Sequence, residues 1–228
     1  MMFFLGVTDV CATIIGGTFE GIFAIKGDIF CTNPNFMYLV GCFQVEVWVT
    51  ACCASLLLLI NRSLDLISGD YADLLFSGWK TYIWILFPFG FGLWMCWFTT
   101  PYLFSSLLHA SFVNPYFGIP GINVTMSDYD DHYCVIFNYV VAGLFPALYV
   151  VLCVVLVIRT KGASSSNVIV SKIQKQIMIQ SIVVSVFLAL TSALYMLMQY
   201  IPVPMAIIIA SQFMWQASHV GHVYVHAF

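Results

Sequence analysis

Charge is what this sequence has least of. Only 7% of its 228 residues are Asp, Glu, Lys or Arg, and 62% are hydrophobic. A soluble domain carries about 25% charged residues. That deficit excludes a water-soluble surface and makes lipid the solvent. The formal charge of −3 gives no basic footprint, so no nucleic-acid partner is expected. No basic stretch precedes the first apolar run, so a cleaved secretory signal is not indicated and the first span is expected to stay in the membrane. The ten-residue alternating stretches of a β-barrel are missing, and there is no internal repeat or soluble domain. A Gly-rich phosphate loop, a Cys-x-x-Cys pair and a Ser-His-Asp set are also missing. Neither an enzyme nor a cofactor is therefore expected.

What is present is a series of long apolar runs. The chain is organised around one of them, Phe36 to Ile60, preceded by Cys31 and closed by Asn61-Arg62. Six such segments, each long enough to span a bilayer, fall at about 2–25, 36–60, 79–104, 134–158, 176–200 and 203–228. They predict an all-α integral membrane bundle of six transmembrane helices in a single domain over 1–228.

The basic residues orient it. Arg62 and Lys80 flank the second connection, and Arg159, Lys161, Lys172 and Lys175 lie in the fourth. Only Lys26 falls on the other side. Positive residues favour the cytoplasm, so the first, third and fifth connections should face the exterior or lumen. The third connection carries Asp128, Asp130 and Asp131, no Lys or Arg, and the acceptor triplet Asn123-Val124-Thr125, which is glycosylated only on the lumenal side. Six of the eight cysteines lie within apolar runs, where thiols usually serve as packing. Cys31 and Cys134 stand at exterior ends, where a disulfide would persist, and a Cys31–Cys134 bridge is expected. The alternative is two unrelated thiols.

Polar groups inside the spans are few. Asp9 and Glu46 lie within the first and second spans, and Glu20, near the outer end of the first, is expected to snorkel. Intramembrane carboxylates mark function or hydrogen-bond to a neighbouring helix. If Asp9 and Glu46 formed a proton relay, the chain would be a small-molecule transporter. Pro88 and Pro146 should kink their helices. Gly17 and Gly21 make a small-xxx-small face for close packing. His219, His222 and His226 share one face of the last helix. They allow a membrane metalloenzyme as a further alternative, but the first five spans hold no histidine to complete a site, which leaves polar packing as the simpler account.

The chain resembles the nematode serpentine receptors of class T. The likeness rests on Phe4-Leu5-Gly6-Val7-Thr8-Asp9, on Gly21-Ile22-Phe23-Ala24-Ile25-Lys26-Gly27, and on Phe30-Cys31-Thr32-Asn33-Pro34. It continues through Tyr38-Leu39-Val40-Gly41, Trp48, Leu59-Ile60-Asn61-Arg62 and Leu75-Phe76-Ser77-Gly78-Trp79-Lys80-Thr81-Tyr82. It closes with Trp215-Gln216-Ala217-Ser218-His219 and Gly221-His222-Val223-Tyr224. The resemblance implies a seven-helix chemosensory receptor in the plasma membrane of sensory cells, with a small-molecule ligand and a heterotrimeric G protein as partners. The six spans would be its second to seventh helices. A first helix and the tails would be lacking, so the chain is expected to be a truncated receptor or a non-signalling fragment.

The same resemblance implies that Asn61-Arg62 is the G-protein-coupling switch, with Asn61 in place of the usual acidic partner. It likewise implies that Cys31 and Cys134 bridge the third helix to the second exterior loop. The sixth helix departs from the receptor pattern in having no Trp-x-Pro, and the seventh has no Asn-Pro before Tyr224. The ligand pocket is expected toward the exterior ends of the helices, with Glu46, Trp48, Tyr195 and Gln199 as candidates.

Overall fold

A computed structural model of the chain describes residues 1–124, 126–129, 131–162, 172–201 and 203–226, with the backbone alone at 66, 126–127, 156–162, 172–178, 180–181, 199 and 221–226. The first span is one rod in three parts: α1 (Met2–Thr13), a π-helical turn (Ile14–Phe19) and α2 (Glu20–Lys26). A π turn carries one residue more per turn than an α-helix and turns everything after it to a new face. This one contains Gly16-Gly17. The rod ends at Gly27, whose φ of 72° and ψ of 25° form a left-handed cap that glycine adopts without strain.

The longest helix, α3 (Pro34–Ile67), follows a 3₁₀ turn over Phe30–Thr32. Asn33 caps it by accepting from Phe36 N at 3.4 Å, and Pro34 occupies the first turn, where its missing N–H costs nothing. At 34 residues the helix runs about 50 Å, seven residues beyond the expected end at Ile60. It is the axis of the bundle: 72% of its apolar span is buried, against 33% for the first rod, 17% for α5 and 28% for α6.

The second connection, expected as a loop, coils into α4 (Gly69–Phe76). A two-turn helix leaves its last carbonyls unpaired, and the entry to α5 (Lys80–Phe98) supplies the donors. Lys80 Nζ donates to Leu74 O, Trp84 Nε1 to Leu75 O at 2.9 Å, and Thr81 Oγ1 to Phe76 O.

Helix α5 stops six residues before the expected Phe104. Pro101 follows Thr99 and Thr100, and a residue before proline is pushed out of the helical region. The chain turns instead into a buried antiparallel hairpin, β1 (Leu103–Ser105) and β2 (Ala110–Phe112), with Leu103 opposite Phe112 and Ser105 opposite Ala110. Gly41 of α3 lets the hairpin approach, since a Cβ there would stand 2.5 Å from Tyr102 O. Asp131 then pins the return. One carboxylate oxygen accepts from Thr100 N at 2.6 Å, and the other caps α6 (His132–Gly162) by accepting from Tyr133 N and Cys134 N, an N-cap role worth about 1 kcal/mol.

Helices α7 (Lys172–Tyr200) and α8 (Met205–His226) complete the bundle. α6 packs on α7, α7 on α8, and α8 returns to α1. Among the described residues four helices are long and apolar enough to cross a membrane, and α7 adds a shorter apolar stretch at Ile182–Met198. The fold is an all-α membrane bundle with one small hairpin at the end where α5 finishes and α6 begins.

Candidate functional site

Beneath the hairpin, α3, α6, α7 and α8 enclose a cavity of about 30 Å³, room for roughly two water molecules. Its wall includes Gln44, Trp48, Tyr102, Asn138, Tyr195 and Trp215. Trp48 Nε1 donates to Asn138 Oδ1 at 3.3 Å across the space between α3 and α6. The rings of Tyr102 and Tyr195 meet edge-on at 5.4 Å. The lining is therefore aromatic, with a few fixed hydrogen-bonding groups, which is the usual composition of a small-molecule site.

Two buried polar clusters bracket the cavity. On the hairpin side lies Glu20, only 2% exposed. Ser111 Oγ and Gln212 Nε2 donate to its two oxygens, and Gln44 makes a further side-chain hydrogen bond. Gln212 Oε1 accepts from Ser111 N and from Tyr195 OH, each at 3.2 Å. The cluster thus ties the first rod, α3, β2, α7 and α8 together. Ser111 is the hairpin's attachment, and Gln212 uses both ends of its amide, as a buried side chain must.

On the other side, Asp9 Oδ1 and His219 Nδ1 are 2.9 Å apart, with the residues 0% and 1% exposed. The His219 ring is packed edge-on by Trp215 at 5.1 Å and by Trp48 at 6.2 Å. Its Nε2 has no hydrogen-bond partner among the described residues. Trp48 and Trp215 touch the cavity on one side and this pair on the other.

The π turn explains how Trp215 is positioned. A Cβ on Gly16 would stand 2.6 Å from Trp215 Cζ3, and Gln216 Nε2 donates to Gly16 O at 3.0 Å. The expected packing face of Gly17 and Gly21 is not used among the described residues, none of which lies within 4 Å of a Cβ at either. Gly16, two turns on from Asp9, meets α8 in their place.

The structure separates the sequence candidates. Trp48 and Tyr195 lie on the cavity wall. Glu46 does not: it is buried on the α5 side of α3, where its Oε1 accepts from Thr50 Oγ1 at 3.0 Å beside Gly92 and Pro88. Asp9 pairs with α8, so Glu46 and Asp9 serve different helix contacts and are not brought together as a relay. Glu20, expected to snorkel, is instead the centre of the larger cluster. Its signal in the sequence was indirect, lying in Gln44 and Gln212, two amides inside otherwise apolar runs.

Cys31 and Cys134 are not joined; both are free thiols. Cys134 is buried with Val45, Val49 and Met95. Val45 lies eleven residues into α3 from Pro34, about 16 Å along its axis. Cys31 sits exposed before that helix begins. A disulfide needs Cα atoms within about 7 Å, so this correction follows from how deep α6 seats its first turn.

Asn123 is exposed. Asn61 and Arg62 lie inside α3 rather than at its end. Arg62 Nη2 reaches Met2 Sδ at 3.4 Å, and its Nε is buried without a partner among the described residues. The side chains of Gln199, Arg159, Lys161, Lys172, Lys175, His222 and His226, and residues Thr125 and Asp130, lie outside the described residues.

The family model for the serpentine type 7TM GPCR chemoreceptor Srt matches residues 1–226. Serpentine receptor class T-55 of Caenorhabditis elegans is 28% identical over 204 residues, 90% of this chain and 54% of the relative. The chain therefore spans about half the length of that curated relative. A multi-pass membrane bundle matched from its first residues almost to its last belongs to the Srt family of serpentine seven-helix chemoreceptors.

Proposed function

We propose that the chain forms the ligand-sensing part of a chemosensory G-protein-coupled receptor in the plasma membrane of sensory cells, acting as a receptor and not as an enzyme. A small molecule enters from the hairpin end, which the charge bias assigns to the exterior, and occupies the cavity around Trp48, Tyr195 and Trp215. The observation that carries this reading is the double role of the two tryptophans. Each lines the cavity and packs on His219 of the Asp9 pair. A ligand that displaces either ring alters the contact between the first rod and α8. Differential affinity for two arrangements of that contact is what a ligand needs to shift a population.

At 30 Å³ the cavity is closed compared with the roughly 300–1,000 Å³ of drug-sized sites. Binding therefore requires movement of the hairpin or of an aromatic wall. At the other end, Arg62 is the proposed switch toward the heterotrimeric G protein. In the described arrangement its guanidinium rests on Met2 of α1, so a change at the α1–α8 contact reaches it through the same rod. A guanidinium offers a planar fork of donors that lysine lacks.

The test is agonist-evoked nucleotide exchange on a G protein in cells, with surface level measured in parallel. Arg62→Ala is expected to abolish the response at normal surface level, and Arg62→Lys to restore part of it. A full response from Arg62→Ala would reduce the residue to a topology signal.

A further inference from the structure

We propose that the membrane-facing cleft between α5 and α6 is a binding site for a membrane sterol. Both helices pack on α3, and a space of about 360 Å³ between them is floored by Cys52, Cys53 and Leu56. That volume lies within the range of small-molecule sites, roughly 300–1,000 Å³. It lies on the α5 side of α6, whereas the cavity under the hairpin reaches α7 and α8, and the two share Phe137 alone among their lining residues.

Three features of the cleft select the occupant. The first is rigidity. Along α5 the rings of Phe87, Phe91 and Trp94 stand in file, 6.2 and 5.8 Å apart and inclined by only 7° and 15°. Phe91 braces Phe137 of α6 at 6.0 Å, and Trp94 meets Tyr133 edge-on at 5.9 Å. A preorganised wall favours a ligand that is itself rigid, because a fused ring system has few rotors to order on binding, whereas an acyl chain has many.

The second is charge. None of the fourteen lining residues is charged, so the lining offers no cation to a lipid phosphate. The polar groups at its Tyr133 end are the phenol and the Trp94 indole, which suit a single hydroxyl. Tyr133 is 57% exposed one residue into α6, at the depth where amphipathic rings meet the headgroups.

The third is length. From Tyr133 to Leu144 the α6 side of the cleft covers eleven residues, about 16 Å. That is about half of the ~30 Å hydrocarbon core, so the cleft occupies one leaflet, with its hydroxyl-bearing end at the interface.

The experiment uses the full chain in phosphatidylcholine nanodiscs with a photoreactive diazirine cholesterol analogue, and maps adducts by mass spectrometry. Adducts are expected on the α5 and α6 peptides carrying Phe87, Trp94, Tyr133 and Val140. Excess unlabelled cholesterol should suppress them at least five-fold, and added phosphatidylcholine should not. Val140→Trp, on a half-exposed position, fills the cleft and should lower labelling to the same degree. Leu197→Trp on another lipid-facing surface should leave it unchanged. If Val140→Trp does not fold, Cys53→Phe fills the floor and carries the same expectation. Adducts spread over all lipid-facing helices, or equal suppression by phosphatidylcholine, would overturn the proposal. Neither outcome depends on whether the chain signals.

Discussion

Gly16 and Gly17 are neighbours in the π turn and meet opposite environments. A Cβ added at Gly16 meets Trp215 Cζ3 at 2.6 Å, with Gln216 Cγ and Nε2 at 3.3 and 3.4 Å behind it. No carbon pair tolerates 2.6 Å, so Gly16→Ala must displace a ring that is 3% exposed. Overpacking a closed interface costs about 1–3 kcal/mol. Gly17→Ala meets nothing within 4 Å and removes a helical glycine, a gain of about 0.5–1 kcal/mol. For a chain of this size 1 kcal/mol moves Tm by about 2–4 °C. Gly16→Ala removes a helical glycine too, which offsets part of its overpacking cost, so it should melt up to roughly 10 °C lower than the parent, and Gly17→Ala roughly 1–4 °C higher. Thermal unfolding of the purified protein in detergent, followed by a thiol-reactive dye on buried cysteines such as Cys52, measures both. Shifts of the same sign would refute the placement of Gly16 against Trp215.

Two further outcomes are expected. In a double-mutant cycle on unfolding in mixed micelles, Asp9→Ala and His219→Ala should couple by about 2 kcal/mol or more, because stranding a buried polar group costs about 1–3 kcal/mol. A value near 0.6 kcal/mol, the average for hydrogen bonds within membranes, would mean that the pair is incidental to the α1–α8 contact. In a secretory expression system, Asn123→Gln should abolish a glycosidase-sensitive mobility shift; if the wild type shows none, protease protection of the α6–α7 connection separates an unused acceptor from an inverted orientation, and a protease-accessible connection on the lumenal side would contradict the assignment of the hairpin end to the exterior.

The six apolar runs were legible because a span needs some twenty apolar residues whatever it packs against. Their ends were less so. The extension of α3 past Arg62 has no apolar signal, since Asn61 to Asp65 is mostly polar. The run through Phe104 concealed the hairpin because short buried strands and buried helix share a composition, and Thr100-Pro101 was the only break in it. Trp48 and Tyr195 could be singled out as large amphipathic rings within spans. Glu46 carried the same signal as Glu20 but faces α5, and composition does not reveal which way a carboxylate points within a bundle. The Asp9–His219 pair joins residues 210 apart, and nothing local to either announces the other. The Cys31–Cys134 expectation failed because both cysteines were placed by loop, while burial with Val45 and Val49 sets the depth of Cys134.

The central claim is that a small molecule is sensed at Trp48, Tyr195 and Trp215. The most direct measurement is the concentration–response curve for G-protein activation by the chain expressed in cells, using an agonist found by screening the parent. Trp48→Phe removes the indole N–H that Asn138 accepts and shortens the wall, while Phe213→Leu, on the lipid face of the same α8 that carries Trp215, serves as control. At matched surface level, Trp48→Phe should raise the half-maximal concentration at least ten-fold, a loss of about 1.4 kcal/mol, and Phe213→Leu should leave it unchanged. Identical curves for the parent and Trp48→Phe would contradict the account.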